Sequence, residues 1–313
     1  MISKKSFVIA TILFISLSFV FVLNFYKHKD VDRSLLISKF TDNFFLEPEN
    51  TVAVYADDKR FNVQTTFNKE LEEFGLKILR KYKTPFAAFV VIDNNTGKVI
   101  AASGRNYETK NESRNLAFSS THPAASLAKV ITAASLFENS KVSPKTTLKF
   151  NGKGTTLYKF QLKDKTNRWT RRISFERAFN FSNNVVFGKA AIKHLNSQHL
   201  FSSAVNFGFN TDITKDLILP RSRFLSAESN YELAEFASGF NKKTTISPLH
   251  AAYISYIVAR DGFVSPLKII DQVKNEFNEV LTFKNFAPEQ KIPVAVSKKL
   301  KKIMISTVRK GTA

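Results

Sequence analysis

The ten residues from 121 to 130 read THPAASLAKV and place Ser126 three residues before Lys129. Apolar side chains then recur at helical spacing as far as Phe137, so the pair lies at the start of a predicted helix. Side chains three residues apart share a helix face, and a lysine amine at this spacing reaches a serine hydroxyl. A hydroxyl becomes a nucleophile when such a base takes its proton. The segment therefore predicts a nucleophile and its base, with an N-cap serine beside a surface lysine as the alternative.

A second polar cluster precedes another predicted helix, in the segment FNFSNNVVFGKAA that contains Ser182, Asn183 and Asn184. A serine hydroxyl can relay a proton between a lysine and a leaving amine, and an asparagine amide can donate to a substrate carbonyl. Helix capping is the alternative interpretation of these residues. Together with Ser126 and Lys129, the cluster would supply a nucleophile, a base, a relay and a polar anchor, which predicts an acyl-transfer site.

The region before these motifs alternates between helix and strand signals. Residues 68 to 82 carry a helical apolar stripe, and the stretch FAAFVVIDNNTGKVIAASG holds two apolar runs, 86 to 92 and 98 to 102, around a turn. Helical patterns dominate from 126 to about 260, interrupted near 150 to 170 by a polar stretch that we interpret as a loop or small hairpin. This order predicts an α+β fold, an antiparallel sheet flanked by helices with a helical subdomain.

Composition narrows the functional classes. The chain has 313 residues, of which 43% are hydrophobic, enough for one large domain or two small ones. Its formal charge is +21, and the basic residues are scattered along the whole chain without a nucleic-acid motif, so we predict no nucleic-acid partner. Anionic lipid or cell-wall polymer is the weak partner that this charge suggests. His194 and His199 are five residues apart, which does not suit two metal ligands on one helix face, and no metal or cofactor is predicted.

The amino-terminal sequence predicts a membrane anchor. Residues 6 to 26 contain no charged side chain, and a helix of that length spans a bilayer core. No small-residue cleavage site follows the run, which favours an uncleaved anchor over a removed signal peptide. We therefore predict an anchor over 1 to 29, a tether over 30 to 60 and a folded domain over 61 to 313. The predicted location is the cytoplasmic membrane, crossed once, with the domain outside the cytoplasm.

The order of these segments resembles the transpeptidase domain of penicillin-binding proteins, over roughly residues 61 to 313. VVIDNNTGKVIAASG is similar to the first hairpin of that family, and PAASLAK resembles its nucleophile motif, with Ala125 where glycine is usual. ISFERAFNFSNNVVF is similar to its S-x-N segment. A class D β-lactamase is a weaker match, because that family typically has valine where this chain has Asn184.

The resemblance implies a role for each site residue. It implies Ser126 as the acylated nucleophile, Lys129 as the base, Ser182 as the relay and Asn184 as a substrate-positioning residue. The implied activity is that of a D,D-transpeptidase or carboxypeptidase of peptidoglycan synthesis. The implied partners are peptidoglycan stem peptides, β-lactams, the cytoplasmic membrane and cell-wall synthesis proteins, and no cofactor is implied. The alternative is a non-catalytic relative that acts as a scaffold or as a β-lactam sensor.

One departure from the family pattern concerns its third motif, Lys-Thr-Gly on a strand. The sequence ends MISTVRKGTA, where Lys310, Gly311 and Thr312 superficially resemble that motif, but we interpret these residues as the segment that usually precedes it. On that interpretation the motif strand, its neighbours and a closing helix lie outside the sequence. We therefore expect a fragment or a truncated reading frame, and a hairpin over 86 to 102 with an unpaired edge and an uncovered apolar face.

Overall fold

The structure is a computed structural model that describes residues 31–46, 49–283 and 286–312. The helices are α1 (Arg33–Phe44), α2 (Lys69–Leu79), α3 (Asn115–Phe118), α4 (Ala128–Asn139), α5 (Lys159–Leu162), α6 (Phe175–Asn180), α7 (Asn184–His194), α8 (Ser197–Asn206), α9 (Asn230–Ser238), α10 (Pro248–Ala259) and α11 (Val294–Lys310). The strands are β1 (Thr51–Ala56), β2 (Lys59–Thr65), β3 (Phe86–Ile92), β4 (Val99–Asn106), β5 (His122–Pro123), β6 (Thr147–Phe150), β7 (Arg171–Ser174), β8 (Thr245–Ile246), β9 (Phe263–Val264), β10 (Ile270–Asn275), β11 (Val280–Leu281) and β12 (Glu289–Gln290).

The predicted membrane anchor lies outside the described residues. Within the described ranges, none of the helices combines the length and the apolar character that a membrane crossing needs. Antiparallel sheets and helices make up the rest of the chain, so the predicted α+β class is confirmed.

The chain divides into two compact units, and the first contains residues up to Thr65 together with Ile270–Lys284. Its sheet has the strand order β1, β2, β10, β11, with all pairings antiparallel. Asp57 and Asp58 join β1 to β2 at φ of 51° and 57°, the conformation that a tight hairpin turn requires.

The predicted tether over 30 to 60 is folded in the structure, as α1 and β1 of this first unit. Its apolar residues follow the helix period, and they bury one face of α1 against β1. The buried residues are Leu36, Ile37, Phe40 and Phe44. Asp32 caps the helix by accepting from Ser34 N at 2.9 Å. The isolated apolar clusters noted in the sequence are therefore a helix stripe and an alternating strand.

The second unit, Thr66–Ile269 with Asn285–Ala313, contains the predicted hairpin as β3 and β4. In the described residues β3 pairs with β4 alone, so its other edge is open. The faces are not bare, because helices α2, α3 and α10 pack on the hairpin and leave most β3 side chains half-buried. The expected uncovered apolar face is therefore wrong, while the expected open edge is present. Gly75 lets α2 approach closely, since a side chain there would overlap the Phe89 ring.

Helix α4 forms the centre of the helical part of this unit. All ten residues from Ala128 to Phe137 are buried, and α7, α8, α9 and α11 pack around them. The Phe175 ring lies between the rings of Phe137 and Phe187, with centroids 5.4 and 5.0 Å away. The polar stretch near 150 to 170, predicted as a loop or small hairpin, is the connection between the paired strands β6 and β7 and contains the short helix α5. A helix enclosed on all sides gives any group at its first turn a fixed position.

Candidate active site

Ser126 lies in a 3-10 turn, Ala125–Leu127, that leads directly into α4. Neither this turn nor α4 has a side-chain cap, so the N-cap alternative for Ser126 is wrong. The serine hydroxyl instead accepts a hydrogen bond from Lys129 Nζ at 3.0 Å and lies 2.6 Å from Ser182 Oγ. The sequence-predicted pair is therefore brought together, and a third predicted residue joins it.

The residue before the nucleophile adopts an unusual backbone conformation. Ala125 has φ of 46°, in the left-handed region that glycine enters without the steric penalty of a Cβ atom. This conformation explains why a motif of this shape favours glycine at that position, and why alanine there is a strained substitute.

Glycine at position 125 is expected to raise the free energy of unfolding by about 1 kcal/mol, because it removes the Cβ penalty at positive φ. The matched control is Ala124→Gly, since Ala124 is the adjacent residue and has an ordinary φ of −64°. That control is expected to lower the free energy of unfolding by about 0.5–1 kcal/mol. Denaturant unfolding of both variants measures the difference, and a loss of stability in Ala125→Gly would contradict the strain at this turn.

Lys129 is almost fully buried, with 2% of its surface exposed. Its Nζ donates to Ser126 Oγ, to Asn184 Oδ1 at 2.7 Å and to the Ser238 carbonyl at 2.6 Å. Burial lowers the pKa of Lys129 from 10.5 to about 7, because the charged form loses its hydration. At neutral pH a large fraction of this amine is therefore unprotonated and able to accept a proton.

The partners of Lys129 suit the ammonium form, which donates to all three oxygens, and they also suit a neutral amine. Such an amine has two N–H groups and one lone pair. The Asn184 Oδ1 atom and the Ser238 carbonyl can only accept hydrogen bonds, so they take the two N–H groups. In the neutral form the lone pair faces Ser126 Oγ, which would then donate to Nζ in the contact where it accepts from the ammonium form. A neutral Lys129 is thus in position to accept the Ser126 proton.

Ser182 occupies the turn between α6 and α7, at φ of 51°. Its hydroxyl reaches Lys129 through Ser126, in a chain of three polar groups. The capping role proposed as the alternative for this cluster falls on Asn183, whose Oδ1 accepts from Val186 N at 3.0 Å. Ser182 and Asn184 are therefore left for other contacts.

Asn184 is buried at the start of α7, and both ends of its amide are engaged. Its Oδ1 accepts from Lys129, while its Nδ2 donates to the Thr155 carbonyl at 2.9 Å. Its backbone N–H donates to the Gly154 carbonyl at 2.7 Å. In this structure Asn184 orients the lysine, and its expected contact with a substrate stays a prediction.

Residues 87–313 match the family profile of the penicillin binding protein transpeptidase domain. This chain belongs to that family. A comparison with curated protein sequences finds no match.

Several solved structures share the fold of this transpeptidase domain. The D,D-transpeptidase domain of a peptidoglycan glycosyltransferase from Eggerthella lenta is 22% identical, with a TM-score of 0.63 over 80% of this chain and 66% of its own. The penicillin G acyl-enzyme of penicillin-binding protein A from M. tuberculosis is 20% identical, with a TM-score of 0.62 over 80% and 64%. A peptidoglycan synthetase from Bifidobacterium adolescentis is 15% identical, with a TM-score of 0.66 over 79% and 47%. This chain thus spans 47–66% of their lengths.

The segment that superficially resembles the third motif of the transpeptidase domain begins at the last residue of a helix. Lys310 is the last residue of α11, and Thr312 N donates to the Asn180 carbonyl at 3.2 Å. The Lys310, Gly311 and Thr312 triplet therefore does not lie on a strand. Its contact with Asn180 places the end of α11 against the turn that precedes Ser182.

Among the described residues, no histidine is a hydrogen-bond partner of Ser126 or Lys129. His250 is fully buried, and its Nε2 lies 2.8 Å from the Phe207 carbonyl. Burial lowers the pKa of His250 to about 4, so it is neutral at physiological pH. The described part of the chain contains no cluster of three or more His, Asp or Glu side chains suited to a metal ion.

Proposed function

We propose that this chain is a serine D,D-transpeptidase that cross-links peptidoglycan stem peptides through an acyl-enzyme at Ser126. The observation that carries the proposal is the hydrogen-bonded chain from Lys129 through Ser126 to Ser182, at 3.0 and 2.6 Å, in a domain of the matching family. We place the domain outside the cytoplasm, anchored in the cytoplasmic membrane by residues 1 to 29. The support for this location is the uncharged run over 6 to 26.

In the acylation step, Ser126 Oγ attacks the penultimate D-alanine carbonyl of a stem peptide. Lys129 Nζ takes the serine proton, the new ester bond forms and the peptide C–N bond breaks. The leaving nitrogen of D-alanine needs a proton, and Ser182 is placed beside the reacting oxygen to supply it. As Ser182 gives its proton to the nitrogen, it takes a proton from the Lys129 ammonium. The proton lost by Ser126 is thus balanced by the one gained by the departing amine, and Lys129 returns to its neutral form.

The second step runs in the opposite direction with a different amine. An amine of a neighbouring strand attacks the ester, loses a proton through the same groups, and restores the Ser126 hydroxyl. A β-lactam follows the first step only, because its ring nitrogen stays covalently attached to the acyl group after the C–N bond opens. The expected product is an ester on Ser126 that keeps every atom of the drug.

The alternative function is a non-catalytic scaffold or a β-lactam sensor. This alternative concerns the Lys-Thr-Gly strand of the family, which Lys310 does not form because it is the last residue of α11. Such a strand would supply an oxyanion-hole amide, and removal of one donor of this kind costs about 10²- to 10³-fold in rate. An acylation that proceeds without peptide turnover is what this alternative predicts.

The two functions are separated by mass spectrometry of the full chain in detergent after incubation with benzylpenicillin. We expect a mass increase of one drug molecule, located by proteolysis on the peptide that contains Ser126. Release of D-alanine from a stem pentapeptide by the same preparation would then support the transpeptidase. Adduct formation without D-alanine release would support the sensor, and a folded chain without an adduct would support the scaffold and contradict the proposed activity.

A further inference from the structure

Helix α9 ends against α4 at the turn that carries the base. The last carbonyl groups of a helix have no partner within it. In α9, the Ala237 carbonyl accepts from Thr132 Oγ1 at 2.8 Å, and the Ser238 carbonyl accepts from Lys129 Nζ at 2.6 Å. Thr132 and Lys129 are one turn apart on the same face of α4. Two side chains of α4 therefore satisfy the end of α9, and one of them is the base.

The residue that follows α9 contacts the other side of the nucleophile. Gly239 has φ of 71°, in the left-handed region that ends many helices. Its Cα packs on the Ala125 carbonyl so closely that a Cβ atom would overlap that carbonyl. Glycine is thus required by both the conformation and the space. The end of α9 therefore touches the residue before Ser126 and the base three residues after it.

We propose that the end of α9, Ala237–Gly239, is the positioning element that aims the lone pair of Lys129 at Ser126, with Thr132 and Gly239 as positioning residues. Thr132 fixes the Ala237 carbonyl, and the adjoining Ser238 carbonyl holds one N–H of the amine. Gly239 fixes the turn that carries the nucleophile. The kinetic consequence rests on the proposed acylation of Ser126, whereas the geometric consequence for Lys129 does not.

The end of α9 acts on Lys129 in two opposing ways. The Ser238 carbonyl fixes the rotation of the neutral amine, which aims its lone pair and raises the rate. It also accepts from the ammonium form at the negative end of a helix dipole, which favours protonation. If the Ser238 carbonyl moves away from Nζ, two quantities must therefore fall together. They are the pKa of Lys129 and the plateau rate, which is the acylation rate at pH values where Lys129 is neutral. General loosening of the fold would also lower the plateau rate, but by hydrating Lys129 it would raise the pKa of this lysine instead.

The other groups around Lys129 carry no formal charge. They are Ser126 on its own turn, Asn184 on α7 and the Phe187 ring, whose centroid lies 5.9 Å from Nζ. Burial is the cause that lowers the pKa of this lysine, with no opposing charge among its causes. A shift in its titration therefore reports directly on the Ser238 carbonyl or on burial.

The first test is Thr132→Val, which removes the hydroxyl that holds the Ala237 carbonyl while keeping the shape of the side chain. We expect the plateau rate of acylation by benzylpenicillin to fall about 3- to 10-fold, the value of one hydrogen bond. We also expect the acidic limb of the pH–rate profile, near the lysine pKa, to move to lower pH. The matched control is Ser135→Ala, a buried hydroxyl on the same helix that donates to the His199 carbonyl instead and should change neither quantity.

The second test uses the contact between positions 125 and 239. Gly239→Ala is expected to slow acylation at least 10-fold, and Ala125→Gly in the same chain is expected to restore part of the rate, because a glycine turn can move its carbonyl aside. Gly97→Ala is the control, since Gly97 has nearly the same φ, 72°, and a Cβ atom there would meet the Tyr256 hydroxyl. If the effects of the two substitutions on the acylation rate were independent, so that Ala125→Gly restored nothing in the Gly239→Ala chain, the proposed contact would be overturned.

A measurement that does not depend on acylation tests the positioning element independently of the proposed function. The pKa of Lys129 is measured by NMR titration of the full chain labelled at the lysine side-chain carbons, with Lys129→Met to assign the signal. A lower pKa in Thr132→Val than in the parent and in Ser135→Ala supports the positioning element even if penicillin never reacts. Equal pKa values in all three chains would overturn it, whereas an unreactive parent chain would overturn only the proposed function.

Discussion

Replacement of Ser126 by alanine is expected to abolish the benzylpenicillin adduct completely while the chain stays folded. The reason is that Ser126 Oγ forms the ester in the proposed mechanism, and it is the hydroxyl in contact with Lys129 Nζ. Loss of this hydroxyl leaves Lys129 with its other two acceptors, the Asn184 Oδ1 atom and the Ser238 carbonyl. The measurement is intact mass after a long incubation, with the thermal unfolding curve of the same sample as the record of folding.

Two serine variants serve as controls for this loss. Ser182→Ala is expected to keep a slower acylation, reduced by about 10²- to 10⁴-fold, because it removes a proton relay and leaves the nucleophile and base intact. Ser135→Ala is expected to react at the parent rate, since that buried hydroxyl contacts α8 and not the site. An adduct of unchanged amount in Ser126→Ala would place the nucleophile elsewhere and remove the basis of the proposed mechanism.

The features of the site and fold that depend on residues close together in the sequence could be predicted from it. The spacing of Ser126 and Lys129 on a helix start fixes their side chains on one face, and the structure shows them 3.0 Å apart. The apolar runs around a polar turn likewise predict β3 with the bounds that the structure gives, 86 to 92. Both predictions depend on residues a few positions apart, where periodicity alone determines the geometry.

Contacts between residues far apart in the sequence could not be predicted in the same way. β2 pairs with β10 across about 200 residues, and nothing in the composition of 51 to 65 indicates that partner. The predicted boundary between tether and domain, at 60 to 61, therefore falls inside β2. The sequence also does not identify the Ser238 carbonyl as a partner of Lys129. Every residue has a carbonyl, and the tertiary structure determines which one lies next to Nζ. Gly239 was the available signal, since a glycine after an apolar helix pattern indicates a helix end.

Replacement of Lys129 by methionine is expected to slow acylation by about 10³-fold or more, because the serine proton then has no base to receive it. Methionine has a similar length and no charge, so it fills the buried space between Ser126 and Asn184 without a polar group. The matched control is Lys189→Met on α7, where the lysine side chain is 15% exposed and pairs with Asp164 at 3.3 Å, away from Ser126. Rates at several pH values measure the effect, and the remaining slow reaction should lose the pH limb near 7.

The same substitution has a second consequence, for stability, whose sign follows from proton binding. The pKa of Lys129 is about 7 in the folded chain and has an ordinary value of 10.5, so between these pH values the unfolded chain binds the extra proton. Stability then rises with pH, by at most about 1.4 kcal/mol for each pH unit from this group. Below pH 7 both states are protonated, and the full cost of the buried ammonium is present.

Lys129→Met is therefore expected to be more stable than the parent at pH 6, with the difference shrinking as the pH rises towards 10. Denaturant unfolding of both chains at pH 6, 8 and 9.5 measures this difference, and Lys189→Met should show no comparable trend. A difference that stays constant with pH would mean that the amine is not held neutral by burial. The case for Lys129 as the base would then lose its electrostatic support, while the 3.0 Å contact with Ser126 would still stand as geometry. Catalytic and stability effects of one buried amine are in this way linked, because the low pKa that makes it a base is the same property that destabilises the folded chain at acidic pH.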